Sequence, residues 1–139
     1  MTVRFVDTNI LLYAISRDPV EHAKADLASE ILATGARGLA LSTQVLQEFY
    51  VQATRTTRAD RLDHTQASDL VTSFTRFVVQ EVTVGLVQAA MATRERFQVS
   101  YWDAAIIEAA RLAGCGRVLS EDLSHGQDYD GVAVTDPFR

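Results

Sequence analysis

Four acidic residues, far apart in the sequence, are the side chains of this chain best suited to chemistry. Each lies just after a predicted strand or in the first turns of the helix that follows one: Asp7, Glu48, Asp103 and Asp122. In open α/β sheets the ligand site lies outside the carboxyl ends of the strands. We therefore expect the four carboxylates to meet at one rim of the sheet, with Glu121 competing with Asp122 for the fourth position.

A divalent cation is the simplest stabilising partner for such a cluster. Carboxylates packed together repel and raise one another's pKa, and Mg²⁺ or Mn²⁺ prefers carboxylate oxygens and water as ligands. The three histidines and the one cysteine lie in unrelated contexts, so zinc is not expected. Two metal ions about 3.5–4 Å apart polarise a phosphodiester and orient a water. The acids therefore predict hydrolysis of an RNA backbone by metal-activated water.

Asp103 is the acid whose position most needs an explanation. It falls on the apolar stripe of a predicted helix, whereas Glu108 and Arg111 mark the opposite face, which we expect to be solvated. A carboxylate on a buried face costs several kcal/mol unless a partner compensates it. The stripe consists of residues at helical spacing: Ile106, Ile107 and Ala110.

Each acid also has an ordinary structural interpretation. Asp7 can cap a helix, Glu48 can lie on a solvated flank, and Asp122 can belong to a turn. Ser100 and Asp103 together resemble a capping box. Only the joint placement of the four at one rim favours a functional site.

The hydrophobic pattern predicts short strands that alternate with helices, which is typical of a parallel sheet covered on both faces. Asp18 and Glu21 are expected to form a capping box for the second helix, Ser42 or Thr43 caps the third, and Ser100 caps the last. We expect one domain over residues 1–139. The predicted strands cover 3–6, 39–41, 78–82, 117–119 and 132–134, and the predicted helices cover 10–15, 19–34, 44–55, 64–77, 87–97 and 101–113.

Composition and charge exclude several classes of protein. The chain has 139 residues, 47% of them hydrophobic, and no apolar run of membrane-spanning length. One cysteine and no export signal favour the cytoplasm. A net charge of −5 argues against a protein that binds nucleic acid by neutralising many phosphates. It does not argue against a nuclease, since bound cations supply positive charge.

Four segments follow one another in an order that resembles a PIN domain of the VapC toxin type. They are VDTNILLY, an acid within STQVLQEFY, SYWDAAIIEAA and VLSEDLSHG, and the likeness extends from residue 3 to about 135. It implies a three-layer α/β/α fold with a central, mostly parallel sheet of four to five short strands. It also implies Mg²⁺- or Mn²⁺-dependent endoribonuclease activity.

The resemblance assigns roles to particular residues and partners. Asp7, Glu48, Asp103 and Asp122 match the family's acidic positions, and Asn9 and Ser120 match small polar residues that orient a carboxylate or a metal-bound water. Such toxins usually dimerise and are silenced by an antitoxin whose carboxy-terminal segment reaches the acidic groove. The expected partners are RNA, a cognate antitoxin and a second copy of the chain, in a homodimer or a hetero-oligomer, with no membrane.

Basic and aromatic residues suggest where RNA would lie. Arg55, Arg58 and Arg61 either form a solvated helix end or hold RNA phosphates. Tyr50 and Trp102 can stack on bases, although we expect core or interface packing for Trp102. One flank of the second helix can pack inward or receive an antitoxin helix; it consists of Ala23, Leu27, Ile31 and Leu32.

Three other functions are compatible with parts of the pattern. A haloacid-dehalogenase phosphatase needs a second aspartate where this chain has Asn9 and a downstream lysine, but Lys24 is the only lysine. A PIN-type nuclease that matures RNA without being a toxin usually carries added domains. A catalytically idle PIN-like binding module is also possible, although all four acids are present.

Overall fold

Five short strands form one parallel sheet at the centre of the computed structural model, which describes residues 2–139. The strand order is β3-β2-β1-β4-β5, so the first strand is central. The strands are β1 (Arg4–Val6), β2 (Leu39–Ser42), β3 (Val78–Gln80), β4 (Arg117–Leu119) and β5 (Ala133–Thr135). The helices are α1 (Thr8–Ala14), α2 (His22–Leu32), α3 (Thr43–Ala53), α4 (His64–Phe74), α5 (Val84–Phe97) and α6 (Tyr101–Leu112).

The helices pack as two groups and complete a three-layer α/β/α arrangement. Helix α1 packs against α2 and α3, α3 packs against α4, and α5 packs against α6. The strands between the layers are short continuous apolar runs, as expected when a parallel sheet is covered on both faces. Phe5, Leu41 and Val118, one from each of the three central strands, have no exposed surface. The expected fold class is confirmed.

The central position of β1 creates a site at the carboxyl edge of the sheet. Phe5 pairs with Ala40 of β2 on one side and with Val118 of β4 on the other. The chain runs outward from β1 to β3 and then returns to place β4 and β5 on the other side, so the strand order reverses between β1 and β4. A crevice outside the strand ends at such a point is the usual ligand site.

The second helix begins differently from the expectation. Asp18 caps a separate 3₁₀ turn, Pro19–Glu21, by accepting the N–H of Val20. Glu21 does not complete a capping box, because its carboxylate accepts the hydroxyl of Ser16 at 2.6 Å. α2 therefore starts at His22 and ends at Leu32, two residues earlier than expected. Its flank packs inward: Ile31 is buried, and Leu27 and Leu32 are partly buried against the core.

A helix cap also explains the difference in the start of α5. α5 begins at Val84, three residues before the expected start, because the hydroxyl of Thr83 accepts the N–H of Leu86. α3 and α6 begin after Ser42 and Ser100, which cap them as expected. Within residues 2–139, no helix has both the length and the apolar character needed to cross a membrane.

The expectation that Glu108 faces solvent was wrong. Its side chain is 5% exposed and accepts the hydroxyl of Thr93 on α5 at 2.8 Å. Arg111 lies 2.9 Å from the same carboxylate and donates to the backbone oxygens of Tyr129 and Asp130. Because α5 covers this face of α6, Glu108 is buried and paired, although its position in the sequence pattern is on the polar face.

Ile107 of α6 provides a test of this core. The side chain is fully buried, so Ile107→Ala should lower the free energy of unfolding by about 2–5 kcal/mol. Leu112→Ala is the matched control on the same helix, because Leu112 is 55% exposed and should change stability by less than about 0.5 kcal/mol. Urea denaturation measures both. Equal effects of the two substitutions would contradict the placement of α6.

Candidate active site

Asp7 lies at the centre of the site and also caps the helix that follows it. Its Oδ1 accepts the N–H of Thr8 at 2.7 Å, and its Oδ2 accepts the hydroxyl of Ser120 at 2.7 Å. The residue is only 6% exposed. Asp7 therefore caps α1 and, through Ser120, also contacts the segment that follows β4.

Asn9 and Ser120 connect the ends of β1 and β4. The Asn9 amide nitrogen lies 3.1 Å from the Ser120 hydroxyl, 3.3 Å from Asp122 Oδ2 and 3.4 Å from Asp7 Oδ2. Its Oδ1 accepts the N–H of Glu121 at 3.2 Å. Ser120 is fully buried. These two small polar residues thus hold the carboxylates of Asp7 and Asp122 in fixed positions.

Glu48 enters the site from α3. Its Oε2 accepts the hydroxyl of Thr8 at 3.2 Å, and its Oε1 accepts the amide of Gln44 at 2.7 Å. The Gln44 amide is also 3.4 Å from the backbone oxygen of Trp102 on α6. Thr8 and Gln44 were not among the predicted site residues. The sequence does contain features that could have identified them: Thr8 provides a hydroxyl within VDTN, and Gln44 provides an amide one helical turn before Glu48.

Asp103 enters from the first turn of α6 and is partly buried. Its N–H donates to the capping hydroxyl of Ser100 at 3.1 Å. Burial raises the pKa of Asp103; the side-chain hydrogen bond with Ser100 opposes this shift, and the charge of Asp122 adds to it. The preceding residue, Trp102, is 65% exposed, so of the two expected roles core packing was wrong, and packing at an interface stays a prediction.

Asp122, and not Glu121, faces the other acids. Glu121 accepts the ammonium of Lys24 at 2.8 Å, and Lys24 lies over the rings of Tyr13 and Phe138. Glu121 is therefore paired with Lys24, and Asp122 is the one of the two acids that lines the pocket.

The four acids line one pocket of about 140 Å³. It contains no lysine, arginine or histidine among its described lining residues. The pKa of Asp7 is raised from 3.8 to about 6, first by burial and then by the charges of Glu48 and Asp122, against the hydrogen bonds from Ser120 and Thr8. The pocket is therefore strongly negative, and its acids interact electrostatically.

The donor chemistry of the pocket fits Mg²⁺ or Mn²⁺. All of its charged ligand atoms are carboxylate oxygens. No group of three or more histidine, cysteine, aspartate or glutamate side chains within residues 2–139 is arranged to hold an ion by itself. Mg²⁺ does not need such a cage, since it keeps several waters and is usually bound through one or two carboxylates.

The three arginines lie in different surroundings. Arg55 lines a groove that adjoins the acid pocket. Arg58 borders a second adjoining cavity with Asn9, and its Nε is 2.9 Å from Asp60 without the geometry of a hydrogen bond. Arg61 lines a separate cavity with Tyr50. The Tyr50 hydroxyl is 2.8 Å from His64 Nδ1.

Fold and site together define a parallel α/β protein with an acidic pocket at the carboxyl edge of its sheet, at the point where strand order reverses. A sequence model of the PIN domain matches residues 4–127, and the chain belongs to the PIN-domain family. No curated protein matches the sequence.

Several solved structures share the fold at low sequence identity. The toxin–antitoxin complex from Klebsiella pneumoniae has a TM-score of 0.69 at 19% identity and covers 96% of this chain and 97% of that one. The sarcin-ricin loop cleaving toxin VapC20 of Mycobacterium tuberculosis has a TM-score of 0.65 at 20% identity, covering 86% and 91%. DNA-bound VapBC from Salmonella typhimurium has a TM-score of 0.69 at 18% identity, covering 99% of both chains.

The raised pKa of Asp7 predicts how stability depends on pH in the presence of a chelator. Between pH 3.8 and about pH 6 the Asp7 carboxyl is protonated in the folded chain and ionised in the unfolded chain. The free energy of unfolding therefore falls as pH rises through this range. Asp7→Asn removes the charge. It should therefore raise the free energy of unfolding at about pH 7.5 by roughly 2–3 kcal/mol, with a smaller difference at about pH 4.

Asp60→Asn is the matched control with the opposite sign. The pKa of Asp60 is lowered by the N–H of Arg17 and the charge of Arg58, so its loss should reduce stability at neutral pH. Urea denaturation across the pH range measures both variants. An Asp7→Asn variant less stable than the parent at neutral pH would show that the buried charge is not unfavourable.

Proposed function

We propose that this protein is a divalent-metal-dependent endoribonuclease that acts as the toxin of a toxin–antitoxin pair. The observation that carries the proposal is the convergence of Asp7, Glu48, Asp103 and Asp122, from four separate segments, on one pocket. A buried carboxylate with a raised pKa beside other carboxylates is typical of a functional site.

The side chains of the pocket have complementary tasks in this proposal. The four acids would surround Mg²⁺ or Mn²⁺, one or two of them as direct ligands and the others through its waters, and the ion would supply polarisation of the phosphodiester and a more acidic water. Ser120 and Asn9 orient Asp7 and Asp122, and Thr8 and Gln44 orient Glu48. Oriented outer partners of this kind typically change metal affinity or activity by about 10–100-fold.

The surroundings of the pocket suit a polyanionic substrate. Arg55 lines the cavity that adjoins the acids along α3 and can contact a phosphate beside the bond that is cleaved. Arg58 lines the other adjoining cavity, but its guanidinium is paired with Asp60 and donates to the backbone oxygen of Leu12. Arg61 lies in a third cavity and would contact only a longer RNA. The site thus combines a negative centre, which a cation would neutralise, with a positive residue, Arg55, next to it.

The toxin role rests on the fold and its occurrence in toxin–antitoxin complexes from Klebsiella pneumoniae and Salmonella typhimurium. A strongly negative pocket is a suitable target for an arginine of an antitoxin, which would exclude both cation and RNA. We propose a cognate antitoxin and a second copy of this chain as partners, and the cytoplasm as the location.

Substitution of single acids tests the catalytic proposal. With Mg²⁺ or Mn²⁺ the purified parent should cleave RNA, and a chelator should stop the reaction. Asp7→Asn and Asp103→Asn should each reduce kcat by more than about 100-fold, since loss of a ligand exceeds the cost of losing an outer partner. Cleavage of a fluorescently labelled RNA measures the rates.

Glu121→Gln is the matched control, because its carboxylate contacts Lys24 and does not line the pocket. It should retain activity within a few fold, whereas Asp122→Asn should not. Mg²⁺ should also raise the Tm of the parent and not of Asp7→Asn. A parent that is stabilised by Mg²⁺ but leaves RNA intact would be an idle binding module, and the proposed activity would be refuted.

Induced expression in bacteria tests the toxin role separately. The parent should arrest growth, and Asp7→Asn, expressed at the same level, should not. Growth curves and the pattern of total RNA measure the effect. Normal growth together with cleavage by the purified protein would favour RNA maturation instead.

A further inference from the structure

A second groove continues outward from the acid pocket along α3. We call it the outer groove; it is formed by Gln47, Val51, Gln52, Arg55 and Trp102 and has a volume of about 490 Å³. Gln44, Glu48, Gln52 and Trp102 line both the outer groove and the acid pocket. The two cavities are therefore continuous.

Trp102 is the most unusual feature of the outer groove. It is the only tryptophan of the chain, and 65% of it is exposed. The ring of Tyr101 contacts it edge-on, with centroids 5.1 Å apart and planes at 83°, and Gln44 lies 3.4 Å from its backbone oxygen. Val51, which also lines the groove, is 55% exposed. An anchored but exposed indole beside a reactive pocket provides a ring face for a ligand.

We propose that the outer groove binds an unpaired nucleotide next to the scissile phosphate, with its base stacked on Trp102 and its phosphate at Arg55. This inference rests on the proposed function. In a fully paired helix the base is stacked on its neighbours and is not free to occupy the groove.

Three observations favour a nucleotide over a protein segment. The groove opens into the pocket where the phosphodiester would lie, so an RNA held among the acids places its adjoining nucleotide in the groove. Arg55 is the only cation among the described residues that line it. Gln47 and Gln52 provide amide donors and acceptors, which match the edges of bases.

The spacing along α3 is also suitable. Gln44, Glu48 and Val51 recur at intervals of three or four residues, which is one face of α3, and Arg55 lies two residues beyond the end of the helix and lines the same groove. From Gln44 to Val51 this face extends about 10 Å. A base and its phosphate can therefore be held together while the neighbouring phosphate remains among the acids.

The emission of the single tryptophan tests binding without requiring cleavage. Asp7→Asn with Mg²⁺ is titrated with a short single-stranded RNA and, in parallel, with the same RNA paired to its complement. Stacking on Trp102 should lower the emission in a saturable way with the single strand and much less with the duplex. Unchanged emission at concentrations that saturate RNA binding would overturn the inference.

Cleavage kinetics test the contribution of the ring. Trp102→Leu should lower kcat/KM about tenfold, mainly by raising KM, because loss of one base stacked on an aromatic ring weakens binding by about this factor. Trp102→Phe, which keeps a ring, should stay within about threefold of the parent. Leu112→Ala, an exposed apolar residue at the other end of α6, is the control for lost surface and should match the parent.

Substrates with one abasic nucleotide, scanned across the positions beside the mapped cut, separate stacking from other effects of the substitution. One abasic position should reduce cleavage by the parent about tenfold and have little further effect on Trp102→Leu. Additive losses at every position would overturn the inference. So would an emission that changes with protein concentration but not with RNA, because a second copy would then cover Trp102.

Failure of the inference and failure of the proposed function give different results. If the parent does not cleave any RNA, the proposed nuclease activity is refuted. The role of the outer groove in binding is then judged by the emission titration alone. A parent that cleaves RNA while Trp102→Leu retains full kcat/KM refutes only the role of the outer groove.

Discussion

The carboxylate of Asp7 is held at the end of the central strand between the N–H of Thr8 and the hydroxyl of Ser120, with little access to water. The bond from Ser120 depends on β1 pairing with β4, because Ser120 directly follows β4, whereas the bond from Thr8 is local and belongs to the start of α1. Burial raises the pKa of this group, and the hydrogen bonds lower it only in part. The rest of the site is arranged around a negative charge that the protein alone does not fully compensate.

The elements that create this arrangement were predictable because they depend on local chemistry. Short β-branched runs bounded by caps indicated the strands, and a parallel sheet brings its carboxyl ends to one edge. The convergence of Asp7, Glu48, Asp103 and Asp122 follows from that topology, and the structure has it. Ser42 and Ser100 cap their helices as expected because capping depends on only a few neighbouring residues.

Other features could not be predicted, since they depend on what packs against each face. The helical period of α6 places Glu108 opposite the apolar stripe, but α5 covers that face and supplies Thr93 as a partner. Trp102 is a large apolar residue of the type expected in a core, yet among the described residues no element covers it. The choice between Glu121 and Asp122 depended on Lys24, which is nearly a hundred residues away in the sequence. Each of these outcomes depends on tertiary neighbours.

The hydrogen bond between Ser120 and Asp7 spans 113 residues, and the pairing of β1 with β4 spans a similar distance. A ribosome makes the amino-terminal part first, at about 5–20 residues per second. Most of the chain therefore exists for several seconds before the strand that completes the site can join the sheet. During translation the nascent chain has Asp7 and Glu48 but not the loop that carries Asp122, so the acid pocket is completed only when synthesis is almost finished.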